Sequence, residues 1–385
     1  MKLEILLARG AGESRGAVLT DGVLTDYRVG RAAVPSRVGG VYRARVKAIV
    51  PGLAGAVVEF PGGEAWLDLA RAHATRPREG AVITIQIVQD AARGKLPRAA
   101  ADPFLAGRFL ALQPMAAKPA LSHRIADNDA RARLGALLAR LGDPGARGGQ
   151  FLALHTAPAA SDAMLAAEAE RLRAAWREAA PALEANAPAE AVAPTDAALD
   201  LLRLFVGPAA PRIAADSEAL AKTVRDWLAA HAPEWEGAVE REPVGRTTLE
   251  SETLRAELAA ALDSEVPLPA GGAIVIEAAA GATVVDVDTD RGAAASAKAT
   301  FAAVNREAAR EAARQIRLRN LGGRIVLDFA GLGEARELPA ALAILRGAAA
   351  ADPMAVRIAR PSDFGLVELM RRRERATLAE MLGKA

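Results

Sequence analysis

From Gly39 to Gln89 apolar and polar residues alternate with a period of two, and clusters of Gly and Pro cut that alternation into short lengths. Tyr42, Ala44, Val46 and Ala48 alternate with Arg43, Arg45 and Lys47, which predicts a half-buried strand with one basic face. Further strands are expected at Gly55–Phe60, Ala65–Leu69 and Ala81–Gln89, separated by Pro61-Gly62-Gly63 and by a turn near Arg78–Gly80. Short strands that each bury one face have few ways to pack, and a small barrel is the one expected here.

A chain of 385 residues is too long for one simple core, so two or more domains are expected. Residues 1–34 read as short strands around a turn at Asp21-Gly22, with a strand at Leu24–Val29. Helical patterns fall at Ala130–Leu141, Ser161–Glu178, Ser217–Ala230 and Leu249–Leu262, and the Ala- and Pro-rich segment Ala179–Thr195 reads as a linker or long loop. Beyond Pro269 the expectation is a hairpin of Ala273–Glu277 with Thr283–Asp288, then a helix over Ala299–Asn320 stopped by Gly322-Gly323. An apolar strand at Arg324–Phe329, a helix near Leu338–Ala349, a strand at Ala355–Ala359 and a helix over Phe364–Leu382 complete the pattern. This part alternates strands with helices, and no internal repeat is visible.

The absence of cysteine excludes disulfides and thiolate metal sites. The four histidines, His73, His123, His155 and His231, show no metal-ligand spacing, and no Ser-His-Asp arrangement or Walker loop is present. Protein-nucleophile hydrolysis and NTP use are therefore poorly supported. The opening residues MKLEILLARG do not read as a signal peptide, and no stretch approaches the roughly 20 apolar residues that span a bilayer. A soluble cytoplasmic protein with no membrane partner is expected. Aromatic residues are 4% of the chain, so any base-stacking surface rests on a few rings.

Charge is nearly balanced at +2, but its distribution is uneven: six Arg against two Glu lie between Arg306 and Arg324, and six Arg against three acids between Arg357 and Arg375. In Val285-Asp286-Val287-Asp288 the two aspartates share one face of a strand. Asp328 ends the apolar run Ile325-Val326-Leu327. Two strands joined by a helix can lie side by side, which would bring these carboxylates together. Oxygen ligands without thiol or imidazole suit a hard cation such as Mg²⁺. Aspartate at a strand end also simply solvates a turn, and on spacing alone that reading is the commoner. Arg306, Arg310, Arg314 and Arg317 fall in one arc of the intervening helix, beside an apolar stripe of Ala302, Ala309, Ala313 and Ile316. Such a row beside an acidic site suits a polyanionic substrate, and an ordinary solvated helix face gives the same pattern.

Longer motifs add to this. Gly271–Glu277, Val285–Asp288, the run from Ala313 through Arg-Gln-Ile-Arg-Leu-Arg-Asn-Leu-Gly-Gly-Arg-Ile-Val-Leu-Asp to Phe329, and Phe364–Leu369 with the arginines after it resemble the ribonuclease E/G family. The resemblance is clear in the C-terminal third and looser in the middle. It implies an α+β multidomain fold: an RNase H-like subdomain split between residues 1–34 and 208–268, an OB-type RNA-binding barrel at 35–100, a 5′-sensor-like region at 101–207 and a deoxyribonuclease I-like catalytic region at 269–385. It implies an endoribonuclease that cleaves single-stranded RNA to 5′-phosphate and 3′-hydroxyl ends in RNA processing or decay. Asp286 and Asp328 align with the aspartates that hold Mg²⁺ (Mn²⁺ being the alternative ion), and Asp288 stands where the family usually has Asn. The RNA-binding positions implied are Trp66, Lys95, Arg314, Arg317, Arg371 and Arg373. Arg124, His155 and Thr156 align with the pocket that reads a 5′-monophosphate.

The departures are informative. Val57 replaces one of two stacking aromatics, and each stacked base contributes about 1–3 kcal/mol. His155 replaces an Arg, and a neutral imidazole cannot grip a phosphate bidentately. Weak preference for 5′-monophosphorylated RNA is therefore expected. Without cysteine the family's Cys-x-x-Cys zinc link cannot form, so no zinc and a monomer or simple dimer are expected. A catalytically weak or inactive RNA-binding protein on the same scaffold is the alternative, and a metal-dependent DNA nuclease or phosphoesterase is a third reading.

Overall fold

The chain opens as a meander in which β1 (Leu3–Gly10), β2 (Glu13–Thr20) and β3 (Val23–Arg31) run antiparallel. Asp21 and Gly22, between β2 and β3, both take positive φ (50° and 82°), the left-handed pair that matches the twist of a tight hairpin. The computed structural model describes residues 2–69, 77–92, 94–142, 149–207, 211–243, 247–289, 297–331 and 338–383.

The period-two segment forms β4 (Val41–Val50), β5 (Gly55–Phe60), β6 (Gly63–Asp68), β7 (Val82–Gln89) and β8 (Arg98–Ala100). β4 pairs with both β5 and β7, and β8 bridges β6 and β7, so these strands close into an OB-like barrel. Tyr42, Ala44, Val46, Val58, Leu67, Ile85 and Ile87 fill it.

Next come β9 (Leu105–Ala106), β10 (Leu110–Gln113), β11 (Ala120–Leu121), α1 (Asn128–Leu141), β12 (Gln150–Ala153) and α2 (Asp162–Leu183), in which the four strands make a small sheet. Asp127 and Ser161 cap the two helices by accepting the amides of Ala130 and Met164. Buried Glu168 on α2 accepts the backbone amides of Arg108, Phe109 and Leu110 at 2.7–2.9 Å, which fixes the helix to β10. The segment expected as a linker is ordered instead. α2 runs on through Pro181, and β13 (Ala189–Val192) pairs with β4 as an extra strand on the barrel sheet. Composition misleads there because Ala-rich sequence serves helix and strand edge alike.

α3 (Asp200–Phe205), β14 (Arg212–Ala215), α4 (Glu218–His231), β15 (Val239–Arg241) and α5 (Glu252–Ala260) return the chain to its start. β14 lies parallel to β1, giving a sheet of order β15-β14-β1-β2-β3.

The last region contains β16 (Glu265–Pro267), β17 (Ala273–Ala278), β18 (Thr283–Asp288), α6 (Ala297–Leu318), β19 (Gly323–Asp328), α7 (Leu338–Ala350), β20 (Val356–Ile358), β21 (Val367–Arg371) and α8 (Leu378–Leu382). Its sheet order is β16-β17-β18-β19-β21-β20, with β18 and β19 parallel and the other neighbours antiparallel. Val304, Ala308, Ala312 and Ile316 of α6 and Leu342 and Leu345 of α7 pack on Ile274, Ile276, Val285, Val287, Ile325 and Leu327. Both helices therefore cover one side of the sheet. The helix expected over Phe364–Leu382 is instead a strand and a short final helix. Val367, Leu369 and Arg371 are buried while Glu368 and Met370 are exposed, which is the period of a strand.

Among the described residues no helix is long and apolar enough to cross a membrane.

Candidate functional site

The open side of the last sheet carries the carboxylates. Val285 and Val287 point into the helix-packed core, so Asp286 and Asp288 face outward and are exposed. The same alternation in β19 buries Ile325 and Leu327 and exposes Asp328. In the parallel pairing Asp286 stands directly opposite Asp328. Neighbouring strands lie about 4.8 Å apart, so the two carboxylates share one small patch. Asp288 lies opposite Ala273 on the antiparallel neighbour. The next rows of this face are Glu277, Val284, Val326 and Glu368, then Arg324, Met370 and Arg357. Among the described residues no group of three or more His, Asp or Glu side chains is disposed to enclose a metal ion. Two carboxylates on an open face fit an ion that keeps most of its shell for water and a substrate phosphate, as Mg²⁺ does.

The arginines expected beside this patch do not join it. α6 packs on the opposite side of the sheet, so Arg314 and Arg317 of its polar arc meet the first sheet instead, while Arg310 stays exposed. Arg314 donates to the Leu24 carbonyl at 2.9 Å and pairs with Glu311. Arg317 pairs with buried Asp26. Arg371 has 1% exposure; it grips Asp352 at 2.8 and 3.2 Å and donates to Asn320 Oδ1 and the Leu321 carbonyl. Arg373 pairs with Glu380 at 3.2 Å. The first three tie elements together within the protein, Arg371 from a buried position and Arg314 and Arg317 from partly buried ones, so their charges are already paired. Arg324 and Arg357, exposed on the carboxylate face, were not singled out by sequence. The strand alternation of Arg324 with Ile325 was the signal for the first, while the second needs β20 placed against β21.

On the barrel, Trp66 lies across from Val57 in β5 and Arg98 in β8. Its half-exposed indole covers Gly55, where a Cβ would come within 1.9 Å of the ring, so only glycine leaves room for it. Lys95 is exposed on the turn leading to β8, and the Trp66 amide donates to the Pro97 carbonyl, so Lys95 and Trp66 belong to one local surface. Arg98 on this surface emerges only from the parallel β6–β8 pairing; it contacts Asp68 at 3.5 Å.

His155 and Thr156 line a cavity of about 330 Å³ that also touches Arg108, Asp200 and Arg372, and Arg124 lies against His155. Arg124 Nη1 is 3.5 Å from His155 Nδ1, and its Nη2 donates to the carbonyls of Ala350 and Asp352 at 2.8 and 2.6 Å. Thr156 donates to the Arg108 carbonyl at 2.6 Å. Burial, reinforced by the Arg124 charge, pulls the His155 imidazole down to about 4 against the opposing pull of Asp352. Imidazole is thus neutral at pH 7, and much of the Arg124 fork is already engaged. His73 lies outside the described residues.

Comparison with known proteins gives a consistent picture. A model of the ribonuclease E/G family matches residues 104–374. Ribonuclease G of Escherichia coli (strain K12) is 27% identical over 99% of this chain and 82% of its own length. Ribonuclease G of Haemophilus influenzae is likewise 27% identical, over 99% of this chain and 81% of its own length. Ribonuclease E of Nostoc sp. (strain PCC 7120) is 30% identical over 90% of this chain and 53% of its own length.

Proposed function

The chain belongs to the ribonuclease E/G family, and from that premise we propose that it is an endoribonuclease whose cleavage centre is the Asp286–Asp328 patch. The observation that carries this reading is the in-register pairing of two exposed aspartates on neighbouring parallel strands, each held outward by apolar neighbours packed on α6. In this reading the last region is the deoxyribonuclease I-like catalytic part, and the first sheet, with α4 and α5, is the RNase H-like part.

Asp286 and Asp328 would hold Mg²⁺ or Mn²⁺, with no zinc. Lewis-acid polarisation of the scissile phosphate and a lowered pKa for the attacking water are what such an ion supplies. The chain's own part is positional. Asp286 and Asp328 fix where the reacting phosphate sits, and Asp288 adds a negative charge on the same face. Arg324 and Arg357 stand further along that face, where cations can meet neighbouring phosphates. Water oxygen attacks phosphorus and the P–O3′ bond breaks, leaving a 5′-phosphate and, after protonation, a 3′-hydroxyl. The substrate is single-stranded RNA, guided by Trp66, Lys95 and Arg98 on the barrel. Discrimination for a 5′-monophosphate is weak, because His155 is neutral and Arg124 is engaged with carbonyls. A cytoplasmic monomer or simple dimer acting in RNA processing or decay completes the proposal.

The placement of Arg314, Arg317 and Arg371 in internal pairs favours one second reading, an RNA-binding protein that cleaves slowly or not at all. Product-end analysis separates the two. Internal fragments that a 5′-monophosphate-dependent exonuclease degrades, formed from RNA and not from DNA of the same sequence, are expected. Intact RNA that stays bound would favour the second reading.

A further inference from the structure

The β20–β21 hairpin turns at Ser362–Gly365, and Phe364 stands at its tip with 89% of its surface exposed. Every other Phe, Tyr and Trp of the chain lies among the described residues and is at least partly covered. A lone exposed apolar side chain is ordinary. What sets Phe364 apart is how it is held and what stands beside it. The Gly365 amide donates to the Ser362 carbonyl at 2.9 Å, the Ser362 amide to the Leu366 carbonyl at 2.9 Å, and the Leu366 amide to Ser362 Oγ at 3.2 Å. Gly365, at φ 83°, supplies the left-handed residue that closes the turn. The backbone that carries the ring is therefore tied down, so little ordering is lost when a partner stacks on it.

The turn lies beside the carboxylates. β19 and β21 run antiparallel with Leu327 opposite Val367. Asp328 follows Leu327 and Leu366 precedes Val367, so the hairpin tip is at the end of the sheet where Asp286 and Asp328 stand in one row. With strands about 4.8 Å apart and about 3.4 Å per residue, the Phe364 backbone is on the order of 10 Å from Asp328. The other exposed side chain of the turn is Asp363, an acid, so the tip offers RNA a ring and no cation. Val284 and Met370 are also exposed, in the rows of the carboxylate face that hold Glu368 and Arg324, so the ring extends a surface on which apolar and charged groups already alternate. Bases and phosphates alternate in the same way along a single strand.

We propose that Phe364 is a stacking platform for one base of the RNA strand whose phosphate lies on the Asp286–Asp328 row. At 3.4 Å or more per nucleotide, that base is within roughly three nucleotides of the cut. The proposal rests on the reading of that row as the cleavage centre. A ring stacks on any base, so its contribution tolerates sequence. Its effect is on register: an open sheet face aligns a flexible strand poorly, and one stacked base fixes which phosphate meets the aspartates.

Two readouts test it. In the first, RNAs carrying 2-aminopurine at successive positions are bound to the Asp286→Asn protein, with and without Phe364→Ala. Stacking quenches 2-aminopurine fluorescence, so one position should be quenched only when the ring is present. This readout needs no cleavage: ring-dependent quenching without any cut by wild type would uphold the platform and sink the nuclease reading. In the second, Phe364→Ala should cut about fivefold or more slowly at subsaturating RNA, the low end of what one stacked base contributes, while Phe364→Tyr stays close to wild type. An abasic site at the quenched position should slow wild type by the same factor and slow Phe364→Ala no further. The proposal is overturned if no position shows ring-dependent quenching, if Phe364→Ala cuts at the wild-type rate, or if the abasic site slows that variant as much as wild type. A change of mass in solution on Phe364→Ala, with quenching untouched, would assign the ring to contact with a second copy of the chain and also overturn it.

Discussion

Asp288 sits two residues beyond Asp286 on the same exposed face, where the family usually carries Asn. A third negative charge should tighten the hold on a cation and repel an incoming phosphate. Asp288→Asn is therefore expected to cleave roughly threefold faster at subsaturating RNA while needing more Mg²⁺ for half-maximal rate. Initial rates across a Mg²⁺ titration measure both, and an unchanged or slower variant contradicts the argument. His155 gives a pH prediction. Its folded pKa of about 4 lies below the ordinary value of 6.5, so between those values the unfolded chain binds more protons than the folded one. Stability should therefore fall as pH drops from 7 to 5. Melting temperatures of wild type and His155→Gln over that range should show a smaller fall in the variant. Residues were unevenly legible. Asp286, Asp288 and Asp328 were readable because a strand's own alternation fixes the face of each. Arg314 and Arg317 were not, because helix periodicity shows which side chains share a face and not what that face meets.

At the scale of elements, the pairing of β18 with β19 follows from the sequence: an apolar strand, a helix with an apolar stripe, and a second apolar strand make a parallel crossover unit. β21 was hidden by its own chemistry. Arg371 occupies an inward strand position that a hydrophobic residue would normally mark, so the Arg-rich run reads as a helix face. Its burial is explained by Asp352, Asn320 and the Leu321 carbonyl, none of them near it in sequence. This makes Arg371 a structural tie between β21, the end of α7 and the turn into β19. Removing one partner of a buried pair commonly costs about 3–5 kcal/mol, and Arg371→Met should lose stability on that scale in urea unfolding. A loss below about 1 kcal/mol would show that the ion pair does not hold these elements together. β13 was missed for a related reason, since its place is set by the open edge of β4 rather than by its own pattern.

Across the whole molecule, long-range contacts bring the separate regions against one another. Arg108 donates to the carbonyls of Val206, Gly207 and His231 and pairs with Glu234, fastening the small four-stranded sheet to the first sheet's helices. Arg124 fastens the same small sheet to the end of α7, and Arg375, paired with Asp200 and donating to Ser36, joins the C-terminal segment to the middle of the chain. The barrel was legible from period two, but no local pattern shows that β14 returns to lie beside β1. In the proposed function this assembled scaffold presents Asp286 and Asp328 as one cation-dependent cleavage centre for RNA. The direct measurement is incubation of a fluorescent single-stranded RNA with Mg²⁺, using wild type, Asp286→Asn and Asp328→Asn, each with and without EDTA. Internal cuts by wild type that EDTA abolishes are expected, with at least a hundredfold loss in either variant and RNA binding retained. Cleavage that survives EDTA, or that persists at near wild-type rate in either variant, would contradict it.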